Sequence, residues 1–107
     1  MKKKSSFVFT GDIGFDKYMD KKWEDKRLIT DGVLRFLHSG DHVVANVEGA
    51  LIDLPPQDDT SDVKQLIHAM NPKAIKVLNN MHADVWNLCN NHILDAGEEG
   101  LAQTLKL

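Results

Sequence analysis

The sequence predicts an α/β fold: a mainly parallel sheet with helices on its faces. Three observations carry that expectation. The apolar runs Phe7-Val8-Phe9-Thr10, Val43-Val44-Ala45-Asn46-Val47 and Ala83-Asp84-Val85-Trp86-Asn87-Leu88-Cys89 have the length of strands. Stretches with helical spacing and capping residues separate them, the alternation that gives parallel strands joined by crossovers. Each run also leads into polar side chains: Gly11-Asp12, Glu48 and Asn90-Asn91-His92. Ligands gather beyond the carboxyl ends of strands in such sheets, so three strand ends of this kind point to one site.

Taken in order, the first strand is expected over residues 6–11, with Gly11 ending it in a sharp turn before Asp12. Residues 14–27 carry Phe15, Tyr18, Met19 and Trp23 at near-helical spacing, which fits a short helix or an ordered loop. Thr30 or Asp31 caps a helix bearing Val33, Leu34 and Leu37, and Gly40 ends it. Residues 42–47 form a second strand, apolar enough to predict burial on both faces.

Pro55-Pro56 and four Asp between Asp53 and Asp62 read as an exposed loop, and the spacing lacks the Gly and Glu of a calcium loop. Asn71-Pro72 opens a helix, Asn as N-cap and Pro in its first turn, with Ile75, Leu78 and Met81 on its apolar face. Residues 83–89 are the third strand, with Cys89 a small core residue. Trp23 and Trp86 are packing residues. Asp95-Ala96-Gly97-Glu98 fits the cap of a last helix bearing Leu101, Leu105 and Leu107.

The chain has 107 residues, the size of a single domain, residues 1–107. Its apolar share is 42% and its charged share 27%, which allows a core; the net charge of -3 supplies no field for nucleic acid. A single Cys excludes an internal disulfide and suits a reducing compartment. Met1-Lys2-Lys3-Lys4 is basic, but the apolar run after it is too short for a signal peptide, so a cytoplasmic location is expected. No run approaches the roughly 20 apolar residues of a membrane span.

Thr10-Gly11-Asp12-Ile13, then Asp41-His42-Val43-Val44-Ala45-Asn46-Val47-Glu48-Gly49, then the run from Asn90 through Asn91-His92 to Leu101, resemble the CapA family of capsule and poly-gamma-glutamate biosynthesis proteins. That family looks like a branch of the calcineurin-like metallophosphoesterases. The resemblance implies the N-terminal portion of a larger metallophosphoesterase-like α/β sandwich and a metal-dependent hydrolase, here incomplete. It implies Asp12 as a ligand of one metal, Glu48 as the carboxylate bridging two, Asn91 as a ligand of the second, and His92 as proton donor to the substrate. Two divalent ions are expected in the complete domain. Oxygen donors of this kind suit manganese, iron, zinc or magnesium alike.

Two departures stand beside the match. The superfamily completes its site with histidines from further along, whereas His38, His42, His68 and His82 lie outside the matched ligand positions. Gly14-Phe15-Asp16-Lys17-Tyr18 stands where the family usually has a small or basic residue soon after Gly-Asp. The 107 residues alone are therefore expected to be inactive as a phosphoesterase, and to use an open sheet edge in a homo-oligomer or against a missing C-terminal half.

Asn46 reads as a support for Glu48 or for a backbone turn. Asp95 either orients the His92 ring or caps the last helix, and the cap is preferred. The substrate implied is phosphate-containing or polyanionic. The alternative function is a non-catalytic subunit of a polymer synthesis or export assembly, and the family places cell-envelope association within the expectation.

Overall fold

A computed structural model describes residues 2–16, 19–53 and 67–107. In chain order the elements are β1 (Phe7–Ile13), α1 (Asp31–His38), β2 (His42–Val47), β3 (Ala50–Leu51), β4 (Ala69–Met70), α2 (Ile75–Asn80), β5 (Ala83–Asn87) and α3 (Gly97–Thr104). Single 3-10 turns lie at Lys22–Glu24 and Pro72–Ala74. β1, β2 and β5 form a parallel sheet with β2 in the middle, and β3 pairs with β4 in a second, two-stranded parallel ladder. The α/β expectation is met. The small ladder was not expected, because two-residue strands leave no periodic signal.

β1 does not end at Gly11. It runs on to Ile13, and the pairing with β2 slips between Phe9 and Asp12. The extra residue is absorbed as an irregularity within the strand. Asp12 therefore sits in the ladder, opposite Asn46, and not in a turn beyond it.

β2 is also less enclosed than its apolar sequence suggested. Val43, Ala45 and Val47 are buried, while His42, Val44 and Asn46 alternate with them and are only half-buried. The buried set packs with Leu37 of α1 and with Val77, Leu78 and Met81 around α2. On the other face of the sheet, Phe7, Phe9 and Val85 are exposed, Phe9 to 74%. Period-two alternation, not continuous burial, is the pattern of a sheet covered on one face.

Thr30 caps α1, its Oγ1 accepting from the Val33 N–H at 3.4 Å. Of the predicted apolar face only Leu37 is buried, and Val33 is exposed. Gly40 follows the end of α1, and a Cβ there would lie 2.7 Å from Val8 Cγ2, so this turn passes too close to β1 for any other residue. Asn71 caps the helical segment as expected, Oδ1 accepting from the Lys73 N–H at 2.9 Å, and Ala74, Leu78 and Met81 are buried.

The residues around Trp23 form the ordered loop with one 3-10 turn, in which Trp23 packs edge-on against Phe15. Tyr18 and most of the expected acidic loop, residues 54–62, lie outside the described residues. Trp86 packs against the core and donates Nε1–H to Ala83 O at 2.9 Å.

Two further expectations are corrected. Cys89 is exposed, because β5 stops at Asn87 and the chain leaves the sheet before reaching it. α3 docks through small residues, not leucines, and Leu105 and Leu107 are exposed. A Cβ on Gly100 would come within 3.0 Å of the Ala50 Cβ. Thr104, 3% exposed, accepts from the Leu51 N–H at 2.9 Å and donates to Gly100 O at 2.7 Å. The helix thus lies against β3 at a distance only glycine permits, and its threonine supplies a partner to the open side of that strand.

Candidate functional site

Three strand ends and one loop meet at the carboxyl edge of the sheet. Asp12 sits near the end of β1, and its Oδ1 accepts from Asn46 Nδ2 at 2.6 Å. Asn46 in turn accepts at Oδ1 from Asn87 Nδ2 at 2.8 Å and from Asn90 Nδ2 at 3.3 Å. Asn90 also donates to Val47 O at 2.8 Å, and its Oδ1 receives the His92 N–H at 3.1 Å. Asp12 is in this way joined to His92 by a continuous run of amide hydrogen bonds. Asn46 supports Asp12, not Glu48 or a backbone turn as expected, because its place opposite Asp12 in the parallel register fixes that pairing.

His92 lies in the turns before α3. Its Nδ1 is 2.7 Å from Asp95 Oδ2, its Nε2 is 3.2 Å from Asn91 Nδ2, and Glu48 Oε1 is 3.9 Å from the same Nε2. A carboxylate only accepts, so the Asp95 contact places a ring N–H on Nδ1 and leaves Nε2 facing Asn91 and Glu48. The preferred reading of Asp95 as a helix cap is overturned. Ala96 is the N-cap of α3, no side chain caps it, and the Asp95 carboxylate is turned to the imidazole.

The same Asp95 oxygen accepts the backbone N–H of His68 at 3.0 Å. That bond, more than the His92 ring, holds the Asp95 carboxyl below its ordinary pKa against the opposing effect of partial burial. The His68 ring packs on the His92 ring with centroids 4.0 Å apart, and Asp16 Oδ2 lies 3.1 Å from His68 Nδ1.

His68, Asp16 and Asn90 are thus parts of the site that the sequence reading missed. Asn90 had a signal, since it directly precedes Asn91-His92. His68 had none, because it is 24 residues away in a stretch with no periodicity of its own. What admits it is Gly49. Its φ is +94°, and a Cβ there would fall 2.0 Å from His68 O. The glycine following Glu48 therefore lets the His68 backbone close over the end of β2.

All six expected site residues occupy this edge of the sheet. Glu48, His92 and Asp95 cluster tightly, Asn91 lies exposed beside them, and Asp12 and Asn46 join them through Asn90. Their donors, mainly carboxylate and amide oxygens with one imidazole, suit a divalent cation chemically. Among the described residues no three His, Cys, Asp or Glu side chains surround a single point. Asp12 is engaged with Asn46 instead.

Fold and edge together define an α/β protein with an acid, amide and imidazole site at the carboxyl end of a parallel sheet. The family described as "Bacterial capsule synthesis protein PGA_cap" matches residues 6–107, and the chain belongs to it. It is 30% identical over 105 residues to the PGA biosynthesis protein CapA of Bacillus subtilis (strain 168), a match covering 94% of this chain and 26% of that protein. The chain thus spans about a quarter of the length of that relative. No solved structure matches it. Among the described residues no helix is long and apolar enough to cross a membrane.

Proposed function

We propose that this chain carries the N-terminal share of a divalent-metal phosphoesterase-type site in a CapA-like protein of capsule or poly-gamma-glutamate biosynthesis. One observation carries the reading: the hydrogen-bonded run from Asp12 through Asn46 and Asn90 to His92, with Glu48 3.9 Å from its Nε2. Asp12, Glu48 and Asn91 would hold the metal. Divalent ions there would neutralise phosphoryl charge and make water more acidic. The protein's own contribution lies in His92. Asp95 fixes its tautomer and would stabilise the imidazolium, so Nε2 is placed to take up a proton and deliver it to a departing oxygen.

The amide run serves a second purpose. Asn46 spends both ends of its side chain on Asp12 and on two further amides, which fixes the Asp12 carboxylate without neutralising it. The substrate class in keeping with this is a phosphate ester or another polyanion.

Calorimetric titration with manganese and with zinc, wild type against Glu48→Gln, tests the proposal. Binding by the wild type and its loss in the variant are expected. Turnover of a simple aryl phosphodiester, abolished by the same variant in a protein of the relative's length, would extend it to catalysis. Absence of heat with both metals in both proteins would set it aside in favour of a non-catalytic subunit of a polymer synthesis or export assembly.

A further inference from the structure

A histidine outside the expected ligand positions holds the site's imidazole in place: we infer that His68 is a positioning residue for His92. Three contacts argue it. The rings are in close tilted contact, centroids 4.0 Å apart and planes at 51°, so the His68 ring closes one side of the space in which His92 could turn. The His68 backbone N–H and His92 Nδ1 share one acceptor, Asp95 Oδ2, at 3.0 and 2.7 Å, so the carboxylate that orients His92 is itself anchored to residue 68. Asp16, reached from the segment after β1, lies 3.1 Å from His68 Nδ1 and fixes the outer ring.

The arrangement is a pair of carboxylate–imidazole units, Asp16 with His68 and Asp95 with His92, packed ring to ring. A carboxylate on one nitrogen is the usual means of fixing a functional imidazole's tautomer and direction. Here the second unit supplies what one carboxylate cannot, a wall against rotation about the His92 Cβ–Cγ bond.

The placement is built, not incidental. Gly49 at φ +94° is what allows the His68 carbonyl to lie where a Cβ would otherwise be. The family's run from Asp41 to Gly49 therefore does two things in this chain: it delivers Glu48, and through Gly49 it admits His68 beside His92. The functional meaning of a fixed His92 rests on the acid–base reading above; the fixing itself does not.

The test is nuclear magnetic resonance of the histidine rings in the 107-residue chain, comparing wild type with His68→Ala and His68→Phe. Side-chain couplings report the His92 rotamer, and a long-lived Nδ1–H signal reports its bond to Asp95. A single His92 rotamer with a visible Nδ1–H is expected in the wild type and in His68→Phe, which keeps a flat ring. Averaged couplings and loss of that signal are expected in His68→Ala, with the backbone resonances of β2 unmoved. A His92 ring as ordered in His68→Ala as in the wild type would overturn the inference. So would averaging in a folded His68→Phe.

Should His68→Ala not fold, His68→Phe alone decides, since an ordered ring there supports the packing role and an averaged one removes it. No metal and no turnover enter this readout. A failed metal titration would therefore overturn the proposed function and leave the inference standing, and the reverse holds equally.

Discussion

Of the Asp–His pairs among the described residues, the two shortest stand at opposite ends of the sheet and do different things. At the amino end of the sheet His42 Nδ1 lies 2.6 Å from Asp84 Oδ2; at the carboxyl end His92 Nδ1 lies 2.7 Å from Asp95 Oδ2. The distances are the same within what a hydrogen bond allows. The surroundings are not. The first pair is 42% and 46% exposed, joins β2 to β5, and shares its aspartate with the Val43 N–H. Phe7 stacks on its imidazole. Beside it stands the Asp41 carboxylate, itself held by Ser6, and the pair works as a strut between two strands.

The second pair is 19% exposed at both side chains and spans only three residues of turn. It is packed by a second imidazole and faced by Glu48. An Asp–His contact is therefore no sign of a site by itself. What distinguishes the carboxyl end is a partly buried ring whose other nitrogen is aimed at a carboxylate and an amide.

The contrast between the two ends is open to experiment. The largest effect is expected from Gly49→Ala, which forces a side chain into the space of the His68 carbonyl at a positive φ. A loss of about 2–4 kcal/mol is expected, adding left-handed strain to a backbone clash. Chemical denaturation measures it, and an unchanged midpoint would show that His68 does not depend on this turn.

Next comes Asp95→Asn against Asp84→Asn. If the carboxyl-end pair orients a proton-donating ring, the first substitution should lower aryl phosphodiester turnover on the order of 10- to 100-fold in a protein of the relative's length, while the second leaves it unchanged. Equal losses in the two variants would erase the distinction.

Thr104→Val should cost about 1–2 kcal/mol in a thermal melt, because it leaves the Leu51 N–H without its acceptor in a buried place. This change bears on neither pair and serves as the reference for a structural loss without loss of turnover.

The smallest effect expected is the pH dependence. Asp84 and Asp95 both have carboxyls held below the ordinary value of 3.8, Asp84 chiefly by His42 and Asp95 chiefly by the His68 backbone N–H. A depressed carboxyl pKa contributes stability that is present above the unfolded value and lost as pH falls through the folded one. Acid denaturation below about pH 3.8 should therefore be less steep in each Asn variant than in the wild type. A steeper acid limb in either variant would contradict the assigned direction.

How much of this was legible can be judged from particular residues. The strand cores, the Thr30 and Asn71 caps and the α2 face follow from local periodicity and side-chain hydrogen bonding, so the sequence shows them directly. β1 ran past Gly11 because pairing with β2 continues, and no local signal reports what a neighbouring strand will do. Leu101, Leu105 and Leu107 have the spacing of an apolar face, but close approach to β3 favours Gly100 and Thr104. Cys89 is expected in the core as the last residue of a strand over 83–89, but β5 ends two residues before it.

By itself the sequence determined the alternation of strands and helices, the family, and the three strand ends that carry Asp12, Glu48 and Asn91-His92. Those features are local: each depends on residues within a turn or a strand of one another. Only the tertiary structure decided that Asp95 turns to His92 instead of capping α3, that Asn46 holds Asp12, and that His68 closes over the site. Each of these choices depends on which carboxylate, amide or ring the fold brings within hydrogen-bond reach. That reach is set by strand register and by one glycine's backbone, across separations no periodicity records.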